Sequence, residues 1–244
     1  RGLYLQSGGL LLARPIVQSL AARVAFLGGS LNSRRRITEI DPEGASLTLE
    51  DGGTVSGDLV IVTAGPWLPD LLPDFATRVT PSRQAYAYLR APEHTQDAWA
   101  RHPMLLDIGV ESGFYLVPPV AGTGLKIGSH GFSLSGHPDR DREGRMEDVA
   151  ESLTMAREAL VGFDDYAVER VGTCFYTVEG EERFIAEARG AAWILTGFSG
   201  HGFKFAPLIG EQLAEVVAGR KAASAFQHWI SGRPEAMQDA APAG

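Results

Sequence analysis

The sequence predicts an α+β protein in which strand–turn–helix segments near the two ends of the chain flank a strand-rich insertion. Three observations carry this. Trp193-Ile194-Leu195-Thr196 reads as a buried strand that runs through Gly197-Phe198-Ser199-Gly200-His201-Gly202 into a helical pattern over residues 203–219. Leu59-Val60-Ile61-Val62 is a continuous apolar run, as expected of a strand covered on both faces, and it ends in the small-residue turn Thr63-Ala64-Gly65-Pro66-Trp67. Between them, residues 79–89, 113–117, 125–128 and 166–176 read as strands, with one strong helix over 145–160.

The remaining elements follow in order. Over residues 15–27, Ile16, Val17, Leu20, Val24 and Leu27 recur at helical spacing behind Pro15 in the first turn. Residues 34–40, 46–50 and 54–55 alternate as short strands, and Asp51-Gly52-Gly53 supplies a hairpin turn between the last two. The tail from Pro234 is rich in Ala, Pro and polar residues and is expected to be mobile.

Composition excludes several classes of partner. The 244 residues are 44% hydrophobic and 21% charged, ordinary for a globular protein with a sizeable core. A net charge of -8 argues against nucleic acid or an anionic membrane, and the one basic run, Arg34-Arg35-Arg36, reads as a protected strand edge. No stretch of about 18 consecutive apolar residues is present, so no membrane span is expected. The single cysteine, Cys174, rules out an internal disulfide and is compatible with a reducing cytoplasm, where the protein is placed. The chain opens at Arg1 inside an element already under way, so further residues are expected upstream. No G-x-G-x-x-G follows a strand, and the pyrophosphate cradle of a dinucleotide-binding unit is not visible.

Chemistry concentrates at three places. In the 197–205 turn, glycines would let a ligand approach the backbone, and the helix start offers free N–H groups and partial positive charge. His201 and Lys204 add donors there, and a lysine at a helix start is disfavoured by the dipole unless an anion relieves it. Lys126, inside Gly124-Leu125-Lys126-Ile127-Gly128, sits by default on a solvated strand face; the sharper reading is a cation aimed into a cavity, between glycines that admit a flat ligand. His130 and Tyr115 could line the same face. Cys174 has the bland reading of a buried apolar thiol. Gly197-Phe198-Ser199-Gly200-His201 also resembles a nucleophile elbow with its last glycine replaced, which keeps a Ser199 hydrolase as a minority reading. With no H-E-x-x-H and no cysteine pair, no metal site is expected.

Taken together, the 197–205 run, Cys174-Phe175-Tyr176-Thr177 followed by Glu182-Arg183-Phe184-Ile185, and Gly124-Leu125-Lys126-Ile127-Gly128 resemble the monomeric sarcosine oxidase and N-methyltryptophan oxidase family of D-amino-acid-oxidase-like FAD-dependent amine oxidoreductases. The resemblance covers about the C-terminal two-thirds of such an enzyme. It implies FAD as cofactor, covalently held through Cys174, with Ala64, Gly65, Trp67, Gly200, Gly202, Phe203 and Lys204 around the flavin. It implies Lys126 as the lysine that activates oxygen, Lys204 with Tyr115 at the substrate, and His130, His201 and Tyr176 as further active-site residues. Phe114, Leu116, Val117 and Phe175 would form the variable pocket wall.

The expected organisation is a flavin-binding part over residues 1–78 and 178–244, lacking its N-terminal βαβ unit, and a substrate part over 79–177 with a large mixed, mainly antiparallel sheet. The expected reaction is oxidation of a secondary (N-methyl or cyclic) amino acid by hydride transfer to the flavin, with imine hydrolysis and O2 reduced to H2O2. Its partners are a small amino acid and O2, and the full-length protein is expected to be a monomer. The alternatives are a flavin dehydrogenase feeding another carrier, and an inactive piece or subunit that needs a partner chain for its nucleotide-binding half.

Overall fold

The computed structural model describes residues 3–106 and 113–232; the tail expected to be mobile lies outside them. The chain divides into two compact units, Arg1–Ile16 with Ser82–Phe175, and Val17–Pro81 with Tyr176–Gly244.

The first unit is built on a five-stranded sheet of β5 (Val79–Arg90), β6 (Leu105–Leu106), β7 (Phe114–Val117), β8 (Leu125–Ser129) and β9 (Ala167–Glu179), in the order β6-β7-β8-β5-β9. Pairing is antiparallel at β6–β7, β7–β8 and β8–β5. Period-two alternation decides which side chains are buried. Phe114, Leu116, Leu125, Ile127, Ala87 and Leu89 form one face, all at most 2% exposed. That face packs with Trp99 of α3 (Glu93–Arg101), Ala156 of α4 (Ala150–Ala159), Val149 and Phe163. Each of the larger side chains contributes about 1.5–3 kcal/mol on burial. The opposite face carries Tyr86, Tyr88, Tyr115, Val117 and Lys126, each half-buried.

The helix expected over 145–160 begins as a 3-10 turn (Met146–Val149) and continues as α4. Asp148 holds this start: it accepts the Arg145 N–H at 2.8 Å and a two-pronged contact from Arg83 of β5 at 2.9 and 2.7 Å. The guanidinium keeps the Asp148 carboxyl below the usual carboxylate range.

In the second unit, β1 (Ile37–Asp41), β2 (Ser46–Leu49) and β3 (Thr54–Ser56) form an antiparallel meander. A second sheet has the order β10 (Ile185–Arg189), β11 (Ala192–Thr196), β4 (Val60–Val62), antiparallel at β10–β11 and parallel at β11–β4. All five residues of β11 are buried. Ala192 and Ile194 pack with Val62, Leu68 of α2 (Leu68–Leu71) and Phe75. Trp193 and Leu195 pack with Ile209 and Leu213 of α5 (Gly202–Val217) and with Phe226 and Ile230 of α6 (Ala223–Ile230).

Two expectations are corrected. β4 is not covered on both faces: among the described residues it pairs with β11 alone, and Ile61 is 49% exposed while Val62 is 5% exposed. An apolar run reports hydrophobicity, not the number of neighbours. The first helix does form, as α1 (Ala13–Phe26), but it buries no residue, and Val17, Leu20 and Val24 are all exposed. Beyond these, α3, α6 and β10 add elements that the sequence reading did not anticipate.

Candidate functional site

In the second unit the site begins with strand direction. Because β4 and β11 are parallel, with Val60 opposite Ala192 and Val62 opposite Ile194, their carboxyl ends reach the same edge. The Ala64-Gly65-Pro66-Trp67 segment and the Gly197–His201 turn therefore leave the sheet side by side, at the edge where open α/β sheets hold ligands. Gly65 (φ 55) has no atom within 4 Å of where a Cβ would lie, and Trp67 closes this 3-10 turn with its N–H donated to Ala64.

The 197–205 turn needs left-handed backbone at Gly197, Ser199 and Gly200. Its glycines are used up by packing. A Cβ on Gly200 would lie 2.7 Å from the Tyr176 ring, and one on Gly202 would lie 2.8 Å from Phe198. Room left by a glycine is therefore filled by aromatic side chains of the protein itself, which corrects the expectation of a backbone opened for a ligand at these two positions. Phe203, at the start of α5, is 40% exposed.

Ser199 is only 1% exposed; its hydroxyl donates to the Gly197 carbonyl at 3.2 Å and accepts the Glu179 N–H at 3.1 Å. It is a brace between the turn and Glu179, both within the second unit, and the hydrolase alternative loses its nucleophile. His201 precedes α5 as its N-cap, and Lys204 follows three residues on, so both lie on one helix face. The Lys204 Nζ is 3.3 Å from His201 Nδ1, and His201 Nε2 is 3.1 Å from the Glu182 carboxylate. Glu182 was visible in the sequence only as part of a motif; its contact with His201 had no local signal.

In the first unit the expected residues Lys126, Tyr115, His130 and Cys174 come together on the half-buried sheet face. Gly128 of β8 lies opposite both Tyr115 of β7 and Tyr86 of β5. The missing side chain at Gly128 is replaced by the Tyr115 ring, which occupies the place an added Cβ would take. Gly172 of β9 does the same for the Tyr86 ring, at 2.7 Å. The tyrosines thus lie down over glycines on neighbouring strands, so the glycine beyond Lys126 admits a ring of the protein itself. Lys126 Nζ sits 4.4 Å from the Tyr86 ring centroid and 5.6 Å from that of Tyr115. No carboxylate pairs with Lys126 among the described residues. Burial pushes its ammonium below the ordinary lysine range, while Cys174, as a thiolate, acts the other way.

His130 is exposed, with its ring 5.5 Å from that of Tyr115. Cys174 is half-buried on β9. Two of the expected pocket-wall residues face elsewhere: alternation turns Phe114 and Leu116 into the core, opposite Tyr115 and Val117. Sequence reasoning missed Tyr86, although its alternation with Ala85 and Ala87 was the available signal.

Each unit carries its own feature suited to an electron-rich or anionic group. In the first, the desolvated Lys126 ammonium lacks a carboxylate partner among the described residues. In the second, α5 starts with no acidic residue in its first turn. The Thr196 hydroxyl, at the last position of β11, is buried with no hydrogen-bond partner among the described residues. No group of three or more metal-ligating side chains occurs among the described residues. No helix there is long and apolar enough to cross a membrane.

Comparison with known proteins bears on these observations. Residues 1–216 match the DAO family, described as FAD dependent oxidoreductase. The chain is 26% identical over 220 residues to monomeric sarcosine oxidase from Bacillus sp. (strain NS-129), covering 86% of this chain and 56% of that protein. It is 29% identical over 213 residues to N-methyl-L-tryptophan oxidase from Yersinia pestis (strain Pestoides F), covering 84% and 56% respectively. The chain thus spans 56% of the length of these curated relatives.

Among solved structures, a modified fructosyl peptide oxidase from Aspergillus nidulans superposes with a TM-score of 0.73 at 17% identity, over 93% of this chain and 59% of that one. Fructosamine oxidase (Amadoriase II) from Aspergillus fumigatus gives 0.70 at 15% identity, over 89% and 56%. These two likenesses concern the fold. By the family match over most of its length, this chain belongs to the DAO family of FAD dependent oxidoreductases.

Proposed function

We propose that the protein to which this chain belongs oxidises a small secondary amino acid, N-methyl or cyclic, with FAD as cofactor and O2 as electron acceptor. The observation that carries this reading is Lys126, a desolvated ammonium held over two tyrosine rings without a carboxylate partner among the described residues. Such a cation is costly to keep unless negative charge develops beside it during turnover. The relatives named as sarcosine and N-methyl-L-tryptophan oxidases support the substrate class.

When bound, FAD supplies the two-electron acceptor for the C–H bond next to the substrate nitrogen. The chain's own residues supply the rest. The α5 N-terminus offers N–H groups and positive potential to an electron-rich ring edge. Lys204 serves as the cation for the substrate carboxylate, which fixes the reacting carbon in place. Tyr115 and His130 bound the substrate from the half-buried sheet face, and Tyr176 backs the 197–205 turn through Gly200. Lys126 stabilises the charge that develops as O2 is reduced. Cys174, on the same half-buried sheet face as Lys126, is the residue for a covalent bond to the flavin.

The test uses the full-length protein. With N-methyl amino acids it should consume O2 and release peroxide; Lys126→Met should slow reoxidation by O2 far more than reduction by substrate. Turnover with an artificial acceptor but no peroxide would favour the dehydrogenase instead. Yellow colour should stay with acid-precipitated polypeptide and be lost in Cys174→Ala.

A further inference from the structure

The loop between β9 and β10 is held as though to present one side chain. The Glu179 carboxylate accepts the N–H of Glu181 at 2.9 Å and of Arg183 at 2.8 Å, and the Glu179 carbonyl accepts the Glu182 N–H at 2.9 Å. Glu182 itself sits at φ 56, a left-handed conformation uncommon for a residue with a side chain. Glu179 is in turn tied to the glycine-rich turn, since its N–H donates to the Ser199 hydroxyl. The loop and the turn are therefore fastened together at Ser199, and Glu182 reaches His201 across the same junction.

The hydrogen bonds at His201 permit one protonation state. A carboxylate only accepts, so Nε2 must carry a proton to donate to Glu182. An ammonium only donates, so Nδ1 must keep its lone pair to accept from Lys204. The neutral imidazole protonated at Nε2 meets both demands; the imidazolium fails at Nδ1, and the other tautomer fails at both nitrogens.

We propose that Glu182 is a positioning residue for Lys204, acting through His201: it takes the Nε2 proton of the imidazole, and the Nδ1 lone pair then holds the lysine ammonium in place. The substrate consequence rests on the reading of Lys204 as the carboxylate ligand; the tautomer does not. Glu182 touches neither substrate nor cofactor in this scheme, and its charge is secondary to its acceptor oxygen.

The test uses the full-length protein with isotopically labelled histidine nitrogens, at about pH 8, above the ordinary histidine range. Correlation spectra, assigned with His201→Asn, should show His201 neutral with its proton on Nε2. A proton on Nδ1, or an imidazolium at that pH, would overturn the proposal without recourse to activity. Steady-state kinetics then separates geometry from charge. Glu182→Ala should raise KM for the amino acid about fivefold or more with kcat little changed, the signature of lost ground-state binding. Glu182→Gln keeps an acceptor oxygen and should restore KM to within about twofold of the parent. Equal effects of both variants, or no effect of Glu182→Ala, would sink the positioning role. Should Glu182→Ala fold poorly, the parent's tautomer and the Gln variant still decide. Failure of the Lys204 reading looks different, because Lys204→Met would then leave KM unchanged.

Discussion

Lys126 and Tyr86 form a half-buried cation–ring pair, with Nζ 4.4 Å from the ring centroid, on a sheet face that also carries Tyr115, Val117, Gly128 and Cys174. The two residues come from neighbouring antiparallel strands, and Tyr86 lies opposite Gly128, two positions along from Lys126 on the same face. The pair offsets part of what burial costs the ammonium, but not all of it, since the Lys126 proton is still held less tightly than in water.

Replacing that cation should therefore stabilise the fold. Lys126→Met is expected to raise unfolding free energy by about 1 kcal/mol near neutral pH. The sign with pH follows from the depressed folded-state value of a base. The burial cost is fully present below that value and fades as pH rises through it, because the unfolded chain then binds the proton that the folded one has released. The gain of Lys126→Met should shrink in the alkaline range. Urea unfolding of both proteins at about pH 7 and about pH 10 measures it; a destabilised variant at both would refute the account.

The ring, not the phenol hydroxyl, should matter for Lys126. Tyr86→Phe keeps the π face and should leave the Lys126 titration near the parent's, whereas Tyr86→Leu should move it further down. Gly172→Ala should imitate Tyr86→Leu, because its Cβ would lie 2.7 Å from the far end of the Tyr86 ring and must displace it. Resonances of the lysine side chain followed against pH would show whether the order Phe above Leu holds.

A second electrostatic device lies in the other unit. Arg189 of β10 bridges Asp74 at 2.7 Å and Glu187, Arg78 also meets Glu187, and both guanidiniums lie over the buried Phe75 ring at 5.3 and 4.4 Å. The bond to Arg189 lowers the Asp74 carboxyl, and the two arginines lower Glu187 against the opposing effect of burial. Depressed carboxylates contribute stability that is present above their unfolded values and is lost as pH falls through the folded ones. Arg189→Met should cost about 1 kcal/mol at neutral pH, modest because the pair is half-exposed, and nearly nothing in acid below both carboxyls. Parallel melts across the acid range test this convergence.

The sequence carried the elements better than their neighbours. Period-two patterns over residues 79–89 and 125–128 located β5 and β8, and the same alternation places Lys126 opposite the core. Strand–turn–helix order located β11 and α5, because buried apolar runs and glycine turns are local signals. What failed was what depends on partners distant in sequence. Ile61 looked like a residue of a doubly covered strand and is exposed, since hydrophobicity does not count neighbours. Phe114 and Leu116 looked like pocket wall and belong to the core, although one-residue alternation with Tyr115 was there to be read. Glu182 reaches His201 across 19 residues, and Tyr86 reaches Lys126 across a strand pair; neither spacing has a motif.

Two glycines at the same sheet edge should separate packing from ligand access. Gly65 and Gly200 both have positive φ, 55 and 82, so alanine carries a similar backbone penalty of about 1 kcal/mol at each. Only Gly200 has a neighbour in the way, the Tyr176 ring 2.7 Å from the added Cβ, whereas nothing lies within 4 Å at Gly65. Gly200→Ala should therefore lose about 3 kcal/mol in the flavin-free full-length protein, against about 1 kcal/mol for Gly65→Ala. Denaturant unfolding without added FAD gives both values. If Gly200→Ala unfolds no more easily than Gly65→Ala yet fails to take up flavin, the glycine at 200 serves the ligand and not Tyr176. The reverse result, instability with flavin uptake retained in the folded fraction, makes the turn a packed support whose ligand-facing groups are His201, Lys204 and the N–H groups that open α5.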